Sequence, residues 1–108
     1  MRFRFNRECK IVKTSSFDRC IKLGKKVNIK PFSCFILENN HKCNRLGLII
    51  SKKWNKSAVK RNLLKRWLRE TFRVVSTEKN FDIVIIPHKK SSIIYLQVQR
   101  LWKLLNLG

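Results

Sequence analysis

Residues 57–70, SAVKRNLLKRWLRE, thread the cations Lys60, Arg61, Lys65, Arg66 and Arg69 between apolar positions, with Glu70 as the single acid. The preceding SKKWNK adds Lys52, Lys53 and Lys56, and Arg73 follows one turn later. Guanidinium forks match phosphate oxygens two at a time, whereas lysine ammonium groups act as point charges. Asn62 offers both a donor and an acceptor, which suits a sugar hydroxyl, a base edge or metal-bound water; structural capping is its alternative role. The chemistry on offer is recognition of a phosphate polymer. Bond cleavage has no comparable residue set, because Glu8, Asp18, Glu38, Glu70, Glu78 and Asp82 are scattered singly and a metal-dependent nuclease needs converging carboxylates or histidines. Asp82 and Glu70 are expected to cap or pair locally. His41 and His88 would supply a histidine–lysine–histidine ribonuclease site by count alone, yet nothing in the sequence links the two. Cys34, His41 and Cys43 lack the paired C-x-x-C spacing that closes a structural zinc site. No catalytic residue and no metal ligand is assigned.

The whole chain repeats the sign of that stretch. Its 26 Lys and Arg face 6 Asp and Glu, a formal charge of +20 over 108 residues, so most cations find no internal carboxylate. A polyanionic partner relieves such self-repulsion; nucleic acid is the first candidate and an anionic membrane surface the second. Seven Phe, three Trp and one Tyr within a 44% hydrophobic composition supply a core that a disordered basic tail lacks. The length fits one domain over residues 1–108, with a basic arm over residues 1–12. No apolar run has the length of a signal-peptide core or a membrane span. The expected location is the cytoplasm, where Cys9, Cys20, Cys34 and Cys43 are expected to stay reduced, without disulfides.

The elements that would position these side chains can be read from periodicity. TSSFDRCIKL, residues 14–23, places Phe17, Cys20 and Ile21 at helical spacing behind a Thr or Ser cap, with Gly24 just past the end. FSCFILE (32–38) and LGLIIS (46–51) read as short strands paired as antiparallel neighbours, and FDIVIIP (81–87) as a third strand. SSIIYLQVQRLWKLL (91–105) repeats apolar residues at Ile94, Val98, Leu101 and Leu105 behind a cap at Ser91 or Ser92. The expected fold is α+β, a small two-layer α/β sandwich ordered helix, strands, long basic helix, strand, helix, around a central, mostly antiparallel sheet.

The long helix is read from Ser57 to Val75. On its wheel Leu63, Leu64, Trp67, Leu68, Thr71, Phe72 and Val75 share one half, while Asn62, Lys65, Arg66, Arg69 and Arg73 cluster opposite. Glu70 lies off the edge of the cationic stripe, so i,i+4 pairing is expected to leave the stripe unneutralised. A solvated helix face ordinarily mixes signs; a single-signed one points to a partner.

LGLIISKKWNKSAVKRNLLKRWLRETFR, residues 46–73, resembles the signature of the bacterial ribonuclease P protein component, in which a strand ending in Ser-Lys-Lys precedes Ala-Val and an Arg-Asn-Arg-x-x-Lys-Arg helix. The resemblance spans residues 5–105, and the order of elements agrees with that family's small sandwich. It implies a protein subunit of ribonuclease P that binds the catalytic RNA and assists removal of the 5′ leader from precursor tRNA, with the RNA as catalyst and Mg²⁺ held mainly by the RNA. Lys52, Lys53, Lys56, Arg61, Asn62, Lys65, Arg66, Arg69 and Arg73 would dock the catalytic RNA. Phe17, Ile21 and Phe35 match the positions of a leader-binding cleft between the first helix and the sheet. Core packing explains Phe17 and Ile21 equally well, and Phe35, alternating with Phe32, Cys34 and Ile36, must point to the opposite sheet face. The motif departs from the family at Leu63, where the second arginine of Arg-Asn-Arg is expected. The partners implied are the catalytic RNA and precursor tRNA, with no membrane and no obligate protein partner. A structural RNA-binding protein such as a ribosomal protein is the main rival. A helix-turn-helix regulator conflicts with three β-rich runs, and a membrane-active helix conflicts with a chain that buries its own apolar face.

Overall fold

A computed structural model describes residues 10, 11, 14–73 and 79–105. The basic arm, apart from Lys10 and Ile11, and Val75 lie outside the described residues.

The chain runs α1 (Thr14–Leu23), β1 (Lys25–Ile29), β2 (Phe32–Glu38), β3 (Arg45–Leu48), α2 (Ala58–Phe72), β4 (Phe81–Pro87) and α3 (Tyr95–Leu105). The four strands form one mixed sheet ordered β1-β2-β4-β3. β1 with β2 and β2 with β4 are antiparallel, and β3 with β4 is parallel. The α+β class and the mostly antiparallel sheet are as expected, but the pairing of β2 with β3 is corrected: β4 lies between them. β3 is tied to β4 through the α2 crossover that a parallel pair requires. A central position explains the near-continuous apolar run of β4, whose Asp82, Ile83, Val84 and Ile85 are all buried.

Strand β1, KKVNI, is an element that sequence periodicity misses. Its lysines are exposed at the edge of the sheet, where charge blocks further strand pairing. The Lys30–Pro31 bond that joins it to β2 is cis.

Alternation along β2 and β4 divides the core. Phe32, Cys34, Ile83 and Ile85 meet Leu64, Leu68 and Phe72 of α2 and Val98, Leu101 and Leu105 of α3 on one face. On the other face Val84, with Phe35, Leu37 and Ile86 partly buried, meets Cys20, Phe17 and Ile21 of α1. Trp102 Nε1 donates to Thr71 Oγ1 at 2.7 Å, fastening α3 to α2. Burial pushes the thiol pKa of Cys34 up to about 12 and that of Cys20 up to about 11. Both are free thiols that serve packing. Cys43 corrects the expectation of four reduced cysteines. It sits half-buried in the loop between β2 and β3, and it is disulfide-bonded.

Helix ends are set by local chemistry. Ser57 is the N-cap of α2, its Oγ accepting from Lys60 N at 3.3 Å, and Arg73 is the C-cap. Helix α3 starts at Tyr95 rather than Ser91, because Ser91 is engaged elsewhere: its Oγ donates to the His88 carbonyl and its own carbonyl accepts from Trp54 Nε1. Gln97 instead accepts from Ile94 N at 2.8 Å, closing the first turn. Gly24 is required by proximity. A Cβ there would overlap the Cys20 carbonyl oxygen and lie 2.9 Å from that of Ile36. Gly24→Ala is therefore expected to cost about 2 kcal/mol and to lower the thermal midpoint by about 10 °C, read by circular dichroism; an unchanged midpoint would show that the α1–β1 turn relaxes freely.

Candidate nucleic-acid interface

Helix α2 turns Leu64, Leu68 and Phe72 into the core, which leaves its opposite side to the cations. Asn62, Arg66 and Arg73 are exposed; Lys65 and Arg69 are half-buried on the flank nearer β3 and α1. With capping supplied by Ser57, Asn62 keeps its amide free for an external partner.

Arg61 and Arg66 are engaged within the chain. Arg61 is half-buried, and its Nη1 donates to the carbonyls of Asn55 at 3.0 Å and Lys56 at 2.9 Å, holding the turn before α2. Arg66 Nε donates to Glu70 Oε1 at 2.9 Å, an i,i+4 ion pair. That contact corrects the expectation of an unneutralised stripe, because the long guanidinium arm reaches an acid beyond its edge. The pair is exposed, so it contributes little and a phosphate can compete for Arg66. Lys52, Lys53 and Lys56 are exposed in the turns before the helix.

Phe17, Ile21 and Phe35 do come together, on the α1 side of the sheet, all half-buried. Their position satisfies part of both readings: they pack against Cys20 and Val84 yet keep open surface. Gly47 lets the Phe17 ring lie directly on the sheet, since a Cβ there would come 2.6 Å from Phe17 Cε1. Phe17 also lines a cleft of about 100 Å³ with Lys10, Ile11, Leu46, Leu48, Lys65 and Arg69. The aromatic surface is thus continuous with the half-buried flank of the stripe. Periodicity misses Lys10 and also Lys26, whose ammonium sits 5.9 Å from the Phe35 ring centroid across the β1–β2 pair. Both sit where a strand pairing, invisible in one sequence segment, brings them.

The acids and histidines separate. Asp82 accepts from Arg45 Nε at 2.7 Å, Arg45 Nη2 at 2.6 Å and Asn39 Nδ2 at 2.7 Å. Burial alone would raise its pKa, but the hydrogen bonds from Arg45 and Asn39, with the guanidinium charge, hold it below the usual carboxylate value. Asp82 is a structural anchor of β3 on β4. His41 lies at the start of β4, where Asn80 Nδ2 donates to its carbonyl, and His88 follows the end of β4, with Nε2 3.2 Å from Ser33 Oγ. A seven-residue strand keeps the two imidazoles roughly 20 Å apart, which rules out a shared histidine–histidine site. Among the described residues no three His, Cys, Asp or Glu cluster in a way that could hold a metal ion, and no helix is long and apolar enough to cross a membrane.

The family model for ribonuclease P matches residues 5–106. The chain belongs to the ribonuclease P protein family. It is 38% identical to the ribonuclease P protein component of Thermotoga petrophila, over 95% of this chain and 92% of the relative. Among solved structures, the Staphylococcus aureus RNase P protein superposes with a TM-score of 0.79 at 32% identity, covering 92% of this chain and 94% of that one. The Thermotoga maritima RNase P protein gives 0.67 at 34% identity, covering 99% and 94%. The chain is accordingly the protein subunit of ribonuclease P, a tRNA-processing ribonucleoprotein endoribonuclease, and its partner is the ribonuclease P RNA. Leu63, where the resemblance in sequence leads one to expect an arginine, is exposed on the flank of α2 away from Lys65 and Arg69.

Proposed function

We propose that this subunit acts through two adjoining surfaces. The outer face and the β3 flank of α2, carrying Asn62, Lys65, Arg66, Arg69 and Arg73, dock the folded catalytic RNA together with Lys52, Lys53 and Lys56. Arg61 adds its remaining guanidinium donors from the turn that it stabilises. Displacement of counterions by these groups lets the RNA hold its active shape at lower Mg²⁺. The Mg²⁺ of the reaction is held mainly by the RNA, which carries the catalysis, and the work takes place in the cytoplasm within one protein domain.

The second surface receives the single-stranded 5′ leader of precursor tRNA. Phe17, Ile21 and Phe35 supply the platform, and Lys10 and Lys26 the flanking charge, an arrangement that holds single strands with little sequence preference. The observation that carries the proposal is the cleft in which Phe17 meets Lys65 and Arg69. A leader lying there would touch the same helix that docks the catalytic RNA, which places substrate and catalyst on adjoining sides of α2.

The test compares precursor with mature tRNA. In holoenzyme assembled with Phe17→Ala, preference for the precursor is expected to fall about tenfold, while affinity for the catalytic RNA stays as it was. Undiminished preference would remove Phe17 from the leader site and leave it a packing residue.

A further inference from the structure

The flank of α2 that carries Leu63 borders a second cleft, of about 260 Å³, between the start of α2 and the segment leading into α3. Its walls are Trp54, Leu63 and Trp67, and Asn55, Lys60 and Ser92 stand around it. Trp67 meets Tyr95 edge to face at 5.5 Å between centroids. Tyr95 is 40% and Leu63 41% exposed, and Val59, Ile94 and Leu96 on the same two segments are exposed as well. An apolar patch of this kind, rimmed by cations, marks a contact surface.

We infer that this cleft takes one unpaired nucleobase of the partner RNA, flanked by Leu63 and Trp67 and reaching the exposed ring of Tyr95, which lies beside the cleft against Trp67 and offers the stacking face. The inference rests on the reading that the chain binds that RNA. Three observations favour a base over other occupants. The volume suits a single planar ring system rather than a drug-sized ligand. The polar groups at the rim are suited to a base edge: Asn55 spends its Oδ1 on Ser57 N and keeps its amide nitrogen, while the Ser92 hydroxyl and the Lys60 ammonium make no hydrogen bond among the described residues. Finally, a net charge of +20 opposes a second copy of the chain at this face, whereas Lys56 and Lys60 favour the phosphates on either side of a base. Leu63 then has its own account. Its apolar side chain supplies a wall for stacking where a cation would offer a phosphate contact, so this part of the helix is suited to a base rather than to the RNA backbone.

Stacking and charge neutralisation differ in their response to salt. Loss of a stacked base lowers affinity by a constant factor, whereas loss of a cation changes the slope of log affinity against log salt. Wild type, Tyr95→Ala and Tyr95→Phe would each be titrated against a ribonuclease P RNA across a salt series, with base-specific chemical probing of the RNA in each complex. Tyr95→Ala is expected to bind about tenfold more weakly at every salt concentration with an unchanged slope, and to expose one unpaired base that wild type and Tyr95→Phe protect. Equal affinities and identical probing patterns for all three proteins would overturn the site. So would an equal loss in Tyr95→Phe, or a loss in Tyr95→Ala accompanied by an altered circular-dichroism spectrum, since either reports a fold defect rather than a stack. Self-association of the free protein that disappears in Tyr95→Ala would assign the patch to a second copy instead. If the wild type itself fails to bind the RNA, the underlying RNA-docking reading fails and this site falls with it.

Discussion

Replacing Lys65 and Arg69 together by alanine is expected to weaken binding to the catalytic RNA about 30-fold near ~0.1 M salt and to flatten its salt dependence by about two in slope. Each side chain is assigned one phosphate, and a charge-assisted hydrogen bond to phosphate is worth about 1.5–3 kcal/mol before competing solvation and residual contacts are counted. Each phosphate neutralised also releases counterions, contributing about −0.7 to −0.9 to the slope. With five or six phosphates engaged, the wild-type slope is about −4 to −5. The fold should survive the change. Helix α2 is held by Leu64, Leu68 and Phe72, and alanine is the strongest helix former. Filter binding over a salt series reads both quantities, with exposed Lys103 of α3 replaced by alanine as the control for general charge loss. A double variant that binds more weakly with an undiminished slope would mean that these side chains shape the helix without touching phosphate.

The second large effect concerns stability. Asp82→Asn is expected to destabilise the chain by about 3 kcal/mol, because it leaves the Arg45 guanidinium partly buried without its counter-charge. The side chains of Arg45 and Asp82 are only 16% and 7% exposed, so solvent screens the pair weakly. The pH dependence follows from the depressed pKa of Asp82. A carboxyl whose folded pKa lies below its ordinary value of 3.8 contributes stability that is complete above that value and is lost as pH falls through the folded pKa. Urea midpoints of wild type and variant should therefore differ by a constant amount at neutral pH and converge below about pH 4. Midpoints that stay equally far apart at acid pH would assign the anchoring of β3 to packing. The pair also has a bearing on function, since β3 leads directly into the Lys52–Lys53 turn and α2.

Much of this architecture is legible in the sequence because periodicity reports burial. Helix α2 declares itself through Leu64, Leu68 and Phe72, and β4 through an apolar run that only a central strand can bury. The alternation of Phe35 with Phe32 and Cys34 correctly separates two sheet faces, although only the placement of α1 decides which face Phe35 joins. β1 escapes notice because a five-residue edge strand with two lysines and an asparagine carries little hydrophobic signal. The order of strands is misjudged because short strands close in sequence suggest a hairpin, while the α2 crossover lets β4 enter between them. Side-chain reach is equally hidden: wheel positions place Glu70 outside the stripe, yet Arg66 spans the gap, and Arg61 turns back onto Asn55 and Lys56. Leu63 shows the converse. Its departure from the expected pattern is visible at once, but its neighbours across the cleft come from residues 91–93, more than two dozen positions away.

On the proposed function, the basic helix and the adjoining cleft serve a catalytic RNA. Cleavage of a precursor tRNA bearing a 5′ leader, at a Mg²⁺ concentration too low for the RNA alone, tests it most directly when run with the cognate ribonuclease P RNA, with and without this protein and its Lys65→Ala/Arg69→Ala variant. Wild type is predicted to restore accurate removal of the leader, and the variant to restore it poorly at the same protein concentration. Cleavage that the wild-type protein leaves unchanged, under conditions where it binds the RNA, would contradict the claim and favour a role for these surfaces in RNA binding alone.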